Sequence, residues 1–294
     1  MRGGLGDAYS ATIQRIKAQG CEKSQLGMGA LMWISHAERP LKEDELCQAL
    51  AVELGSTDFD EDNVPSVSTL VGYCQGLITV DKEGSTVRLI HFTLQEHLSI
   101  CPHTSAGLHS KITEICLTYM NSQQVKAIPA DGSHKIGNMP FLQYCSIYWG
   151  VHARWGLSDH ARSLALQLFR ECEGHISTEL LLRRAWPRGL GRVGIRSPFT
   201  GLHYASLLGV IEAVAAVLDM GCYDTDAGDF EGYTPLALAA WEGHEEVVKI
   251  LLDRGEVNPN KQNHVGQTPL SLAAFKGNEG VVKILLGRRE VYPC

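Results

Sequence analysis

The sequence predicts a mainly α protein: a helix-rich domain carrying one small β-hairpin, followed by a short solenoid of repeated helix pairs. Two observations predict it. Near the C-terminal end a phrase recurs at a 34-residue step, with Thr200, Thr234 and Thr268 heading the copies and Gly209, Gly243 and Gly277 following in register. A fixed period in the low thirties marks stacked supersecondary units rather than one globular core. Upstream, three apolar helix patterns precede two strand-like runs joined by a turn that contains glycine.

Taken in chain order, the first helix pattern covers Ser24 to Ser35, with Leu26, Met28, Ala30, Leu31, Trp33 and Ile34 as its apolar residues. Pro40 breaks it, and LKEDELCQALAVEL reads as a second helix whose early acids complement the positive end of its dipole. Asn63 or Ser66 can cap a third helix carrying Val67, Leu70, Val71 and Cys74. Leu77 to Val80 and Thr86 to Phe92 then read as strands around Asp81-Lys82-Glu83-Gly84-Ser85, a hairpin, and a closing helix runs from about Thr93 to Leu98. Three helices, a β-hairpin wing and a closing helix describe a winged-helix domain.

The repeats follow the same logic. Thr234 can cap a helix whose first residue, Pro235, needs no amide hydrogen, and Leu236 to Ala240 form a short helix with small side chains. Gly243 ends that helix where a left-handed residue is wanted. Val247, Val248, Ile250, Leu251 and Leu252 make the apolar stripe of a second helix, and Gly255 with Asn258-Pro259-Asn260 leads into the next copy. The first copy departs most, with no proline after Thr200 and with Leu207 and Leu208 before its glycine. The last reaches Leu285 and Leu286 without an evident polar closing helix, so the array reads as short or truncated.

The copies TPLALAAWEGHEEVVKILLDRG and TPLSLAAFKGNEGVVKILLGR resemble the ankyrin repeat, which implies protein binding. ALMWISHAERPLKEDELCQAL and LVGYCQGLITVDKEGSTVRLIHFTLQEHL are similar to the winged helix that follows the nucleotide-binding NACHT module of fungal NLR-like STAND NTPases. FLQYCSIYWGVHARWGLSDHARSLALQLF resembles the helical segment linking such a module to a repeat sensor, and GLGDAYSATIQRIKAQG resembles the module's tail. The resemblance thus divides the chain into a NACHT-like tail (1–20), a winged helix (21–105), a helical linker (106–195) and ankyrin repeats (196–294). The three copies fall near 196–228, 229–262 and 263–294.

Charge and composition narrow the function. Between Pro40 and Val80 eight acids (Glu43, Asp44, Glu45, Glu53, Asp58, Asp60, Glu61, Asp62) face one base, Lys42. The third helix of the winged helix carries no Lys or Arg, so the reading excludes nucleic acid. From Arg196 onward 13 acids outnumber 8 bases, again unsuited to a phosphate backbone. The basic concentration, Arg183, Arg184, Arg188, Arg192 and Arg196, reads as a solvated linker or a docking surface. No apolar run is long enough to span a membrane, no secretory leader is present, and nine cysteines lack framework spacing. A cytoplasmic chain with no membrane association is expected.

No catalytic or metal site is expected. GxxxxGK[ST] is absent, and the Gly-rich stretches at Gly27 and Gly189 precede no Lys-Ser or Lys-Thr. Cys101, His103, His109 and Cys116 fit no common zinc spacing, Glu96-His97 lacks a metalloprotease spacing, and no motif sets a nucleophile beside a base. The resemblance implies one cofactor-contacting residue: His91, at the end of the second hairpin strand, would touch nucleotide phosphates with a NACHT module upstream in cis or in trans. Without one, His91 is a semi-buried strand-end histidine and no cofactor is expected. The chain is then a fragment of a longer STAND protein or a copy that has lost its motor.

The expected function is non-enzymatic: protein–protein interaction through the repeats, and a switch element in the winged helix, as part of an NLR-like receptor for non-self recognition. A stand-alone ankyrin adaptor is the alternative, and an ATPase subunit whose motor acts in trans is a third reading. Carried over by position, the partner-contacting residues are Phe230, Glu231, Tyr233, Trp241 and Glu242 in the second copy. In the third they are His264, Val265, Gln267, Phe275 and Lys276. Trp241 and Phe275 occupy equivalent positions and form either an aromatic stripe suited to a hot spot or packing surface for neighbouring elements.

Overall fold

The computed structural model describes residues 3–81, 83–100, 105–129, 137–185 and 199–291. Of the residues singled out above, Lys82, Cys101, His103, Arg188, Gly189, Arg192 and Arg196 lie outside that set. The chain forms two compact units, Met1–Val125 with His134–Trp149, and Lys126–Ser133 with Gly150–Cys294.

The first unit opens with α1 (Gly3–Lys17) and α2 (Cys21–His36), which pack together. β1 (Leu41–Lys42) leads directly into α3 (Glu43–Ala51), and a 3-10 turn (Glu61–Asn63) precedes α4 (Val67–Tyr73). Of the two caps open from sequence, the structure uses Ser66, whose Oγ accepts the Thr69 amide at 3.2 Å. The hairpin is β2 (Ile78–Asp81) and β3 (Thr86–Leu89), antiparallel, with Val80 opposite Val87. The sheet has a third strand that no two-residue pattern could announce: β1 pairs with β3, Leu41 opposite Val87, giving the order β1-β3-β2. The helix α5 (Phe92–Ile100) then packs against α1 and β3.

The stretch read as a linker divides between the units. α6 (Ser105–Met120), α7 (Gln123–Lys126) and α8 (Phe141–Ala153) follow α5, and the division falls inside α8, between Trp149 and Gly150. Gln48 of α3 ties this stretch to the winged helix. Its Oε1 accepts from the Tyr119 hydroxyl at 2.7 Å and the Phe141 amide at 3.3 Å, and its Nε2 donates to the Asn138 carbonyl at 2.9 Å. Trp33, Tyr119, Phe141 and Tyr144 are fully enclosed, with Trp33 edge-on to Phe141 at 5.3 Å between ring centroids. Their burial closes a core that the winged helix alone would leave open on one side. The buried Glu45 carboxylate is held there by Arg39 at 2.6 and 2.7 Å, and the guanidinium lies over the Tyr144 ring.

In the second unit α9 (Asp159–Arg170) and α10 (Ile176–Ala185) precede three helix pairs. These are α11 (Gly201–Leu208) with α12 (Ile211–Asp219), α13 (Pro235–Glu242) with α14 (Glu245–Asp253), and α15 (Pro269–Lys276) with α16 (Glu279–Leu286). Inner helices α11, α13 and α15 stack on one another, as do outer helices α12, α14 and α16, and α9 covers the first pair. Thr234 Oγ1 accepts the Ala237 amide at 3.1 Å, the predicted cap, and Thr268 Oγ1 accepts the Ser271 amide at 3.2 Å one copy on. Thr200 has no proline after it and is closed instead by His203, whose Nδ1 accepts the Thr200 amide at 3.1 Å.

Each inner helix ends on a left-handed glycine, with φ of 69°, 82° and 75° at Gly209, Gly243 and Gly277. At two of them the next copy presses in: a Cβ on Gly209 would lie 2.6 Å from the His244 ring, and one on Gly243 would lie 2.9 Å from Asn278 Oδ1. Those intruding side chains also carry the links between copies. His244 Nε2 donates to the Leu207 carbonyl at 3.1 Å, and Asn278 Nδ2 donates to the Trp241 carbonyl at 2.8 Å. On the outer helices Arg254 pairs with Asp219 at 2.7 Å, and Arg288 pairs with Asp253 one step on.

Candidate protein-recognition surface

The loops between helix pairs fold into tight turns for a reason visible in the sequence. Asp229 is buried, and its Oδ1 accepts the amides of Glu231 at 3.0 Å and Tyr233 at 2.8 Å. One period later Asn263 does the same for Val265 at 3.2 Å and Gln267 at 2.8 Å. Gly232 and Gly266 supply the positive φ, 83° and 81°, that each turn requires. The two turns are joined by the His264 amide, which donates to the Glu231 carbonyl at 2.9 Å. Burial, with the Glu231 carboxylate nearby, raises the Asp229 carboxyl from 3.8 to about 6, against the opposing pull of the two amides and of His264.

This construction presents some of the expected contact residues and withholds others. Val265 is 77% exposed and His264 is open to solvent, whereas Phe230, Glu231 and Gln267 are half-buried. Tyr233 is a correction: its side chain is buried, its amide closes the Asp229 turn and its carbonyl accepts from His203 Nε2 at 3.2 Å. Buried in this way, it offers no surface to a partner.

At the ends of the inner helices the two equivalent aromatics meet each other. Trp241 and Phe275 are stacked at 5.9 Å between centroids and 13° between planes. Phe275 is 76% exposed, Trp241 is half-buried, and Lys276 Nζ lies 4.5 Å over the indole centroid. Glu242 is exposed beside them and interacts electrostatically with Lys276, Arg154 and Arg184. Sequence reasoning missed Arg154, because its role is set by distant packing: its guanidinium donates to the Leu208 carbonyl at 2.6 and 2.9 Å, closing the end of α11.

His91 is also placed differently from expectation. β3 ends at Leu89, so His91 lies outside the strand, exposed, immediately before α5. Its Nδ1 accepts the Thr93 amide at 3.3 Å, the position of a helix cap, and its ring lies 4.4 Å from that of Phe92, which is 68% exposed. The semi-buried alternative is therefore also corrected. His109 and Cys116, from the rejected zinc grouping, are both buried within α6. Among the described residues no helix is long and apolar enough to cross a membrane.

Comparison with known families follows this geometry. Residues 15–113 match the family described as GPI inositol-deacylase, winged helix domain, and residues 177–263 and 202–292 match ankyrin repeats, three copies. No curated protein matches the chain. The first match spans α2 to α5 and the three-stranded sheet, and reaches into α6; the second spans α11 to α16 and begins in α10. The chain thus resembles, in order, the winged-helix domain of GPI inositol-deacylase and ankyrin repeats, which generally mediate protein–protein binding.

Proposed function

We propose that this chain is a non-enzymatic recognition and regulatory element of an NLR-like signalling receptor. The ankyrin repeats bind a protein partner, and the winged helix serves as the switch element of a NACHT module supplied in cis or in trans. The observation that carries the recognition half is the stack of half-buried Trp241 on exposed Phe275, since large aromatic surface held rigidly at the end of paired helices is the usual substance of a binding hot spot. The switch half is supported by the family match over 15–113 and by the placement of His91, whose ring is open to solvent before α5. His91 is then the residue that reports nucleotide, but only once a module carrying a phosphate loop is present.

The test is affinity capture with the full chain as bait, comparing wild type with Trp241→Ala and Phe275→Ala. Loss of the same captured proteins with both variants, with the helical circular dichroism signal unchanged, supports the surface. Undiminished capture by both removes it. In parallel, isothermal titration with ADP should give no binding to the chain alone. Tight binding abolished by His91→Ala would show a nucleotide site complete within these 294 residues and refute the requirement for a second module.

A further inference from the structure

The recognition reading leaves open what kind of protein segment fits the stack, and the charges around it are not those of the array as a whole. Acids exceed bases from Arg196 onward, but the outer helices hold much of that charge in pairs: Glu246 with Lys249, Asp219 with Arg254, Asp253 with Arg288, Glu279 with Lys283. The inner-helix ends differ. Lys276 is exposed and, among the described residues, has no carboxylate within ion-pair distance; it lies over the Trp241 ring instead. Arg154 and Arg184 are also exposed, the Arg154 guanidinium being bonded to the Leu208 carbonyl, and all three cations bear electrostatically on Glu242. Locally the sign of the surface is positive, beside 76% exposed Phe275.

Resting on the recognition reading above, we propose that the partner presents a short acidic segment bearing an aromatic or large aliphatic side chain. That side chain covers the open face of Phe275, and flanking carboxylates meet Lys276 and Arg184, within the field of the Arg154 charge. Displacement of ordered water from the aromatic face supplies affinity, and the three cations supply orientation and selection. A long polyanion such as nucleic acid is disfavoured, because it would run from this patch onto the acidic remainder of the array. A basic partner is disfavoured by the patch itself.

The experiment is selection of a displayed library of random peptides, about twelve residues long, on the immobilised full chain. Fluorescence anisotropy of the selected peptides follows on wild type, Trp241→Ala, Phe275→Ala, Lys276→Glu and the outer-helix control Lys249→Ala. We expect peptides rich in Asp and Glu around one aromatic or large aliphatic residue. Trp241→Ala and Phe275→Ala each weaken binding at least about tenfold, Lys276→Glu weakens it about fivefold or more, and the control leaves it unchanged. Raising salt from about 50 to about 500 mM weakens binding by a similar factor.

Neutral or basic peptides that still depend on Trp241 and Phe275 would overturn the acidic partner while leaving the recognition surface in place. Binders indifferent to both aromatics, or no binders, would overturn both. Self-association of the full chain that is lost in Trp241→Ala, measured by light scattering, would make a second copy the occupant and also overturn the acidic segment. Circular dichroism of each variant separates lost binding from lost fold.

Discussion

Asp229→Asn is expected to stabilise the repeat unit at neutral pH, even though it removes a charge from a residue that makes two hydrogen bonds. The Asp229 side chain closes its turn by accepting two amides through Oδ1, a function an asparagine oxygen performs equally well at the equivalent Asn263. What the carboxylate adds is the cost of burying a charge. Its folded value of about 6 lies above the ordinary 3.8, so the folded state binds a proton more readily than the unfolded state does. The penalty is therefore absent below about pH 4, grows as pH rises through that window, and is complete above about pH 6. At about 1.4 kcal/mol per pKa unit its ceiling is about 3 kcal/mol. The asparagine recovers less, because the amide Nδ2 of Asn263 donates to Gln267 Oε1 at 3.0 Å whereas residue 233 is a tyrosine. A gain of about 1–2 kcal/mol at pH 7.5, shrinking to nothing near pH 4, is the expected outcome. Urea unfolding of wild type and variant across that range measures it. A destabilised variant at pH 7.5, or a gain that does not fade with acid, refutes the reasoning.

Further predictions concern other sites. His203 is buried and His244 half-buried, and desolvation holds both down to about 4, so each is neutral in the folded state while the unfolded chain takes up a proton below about 6.5. Stability should fall as pH drops from 6.5 to 4, by up to about 3 kcal/mol for each histidine. His244→Asn, which copies Asn278, should flatten part of that slope; an unchanged slope in urea titrations would exclude His244 as a cause. Glu45→Ala should destabilise the first unit by about 2–4 kcal/mol, since it leaves Arg39 without its carboxylate and frees a buried volume. Thermal unfolding followed by tryptophan fluorescence reads this, and a loss below about 1 kcal/mol would contradict it. Among the described cysteines, Cys21 and Cys222 are exposed and should react with a maleimide within minutes. Cys47, Cys74 and Cys172 are buried, with thiols pushed up to about 11, 12 and 12, and should react only in denaturant. Peptide mapping after a timed pulse distinguishes the two groups.

The repeats were legible because their information is local and periodic. A capping threonine, a proline at the first helical position and a terminal glycine each act within one turn of helix, and the 34-residue step multiplies the signal. The hairpin was legible for the same reason. Three features were not, and all depend on distant partners. β1 is two residues long and exists because β3 offers it an edge. The stretch from α6 into α8 joins the winged-helix core through Gln48, Tyr119 and Phe141, contacts separated by 71 and 93 residues along the chain. At the candidate site, the pairing of Trp241 with Phe275 was one of two readings that equal positions in successive copies allowed, and the burial of Tyr233 was not read at all. An aromatic at a turn reads as exposed unless the packing around its ring is known.

The links between copies have a mechanical meaning. Asp219–Arg254, Asp253–Arg288, His244 to Leu207 and Asn278 to Trp241 each tie one copy only to the next. Among the described residues these links join neighbouring copies, so tension along the array loads one interface at a time. Pulled from its C-terminal end, the array should peel in discrete events. Each event would release one copy of 34 residues, roughly 110–120 Å of extended backbone, while the copies behind it stay folded.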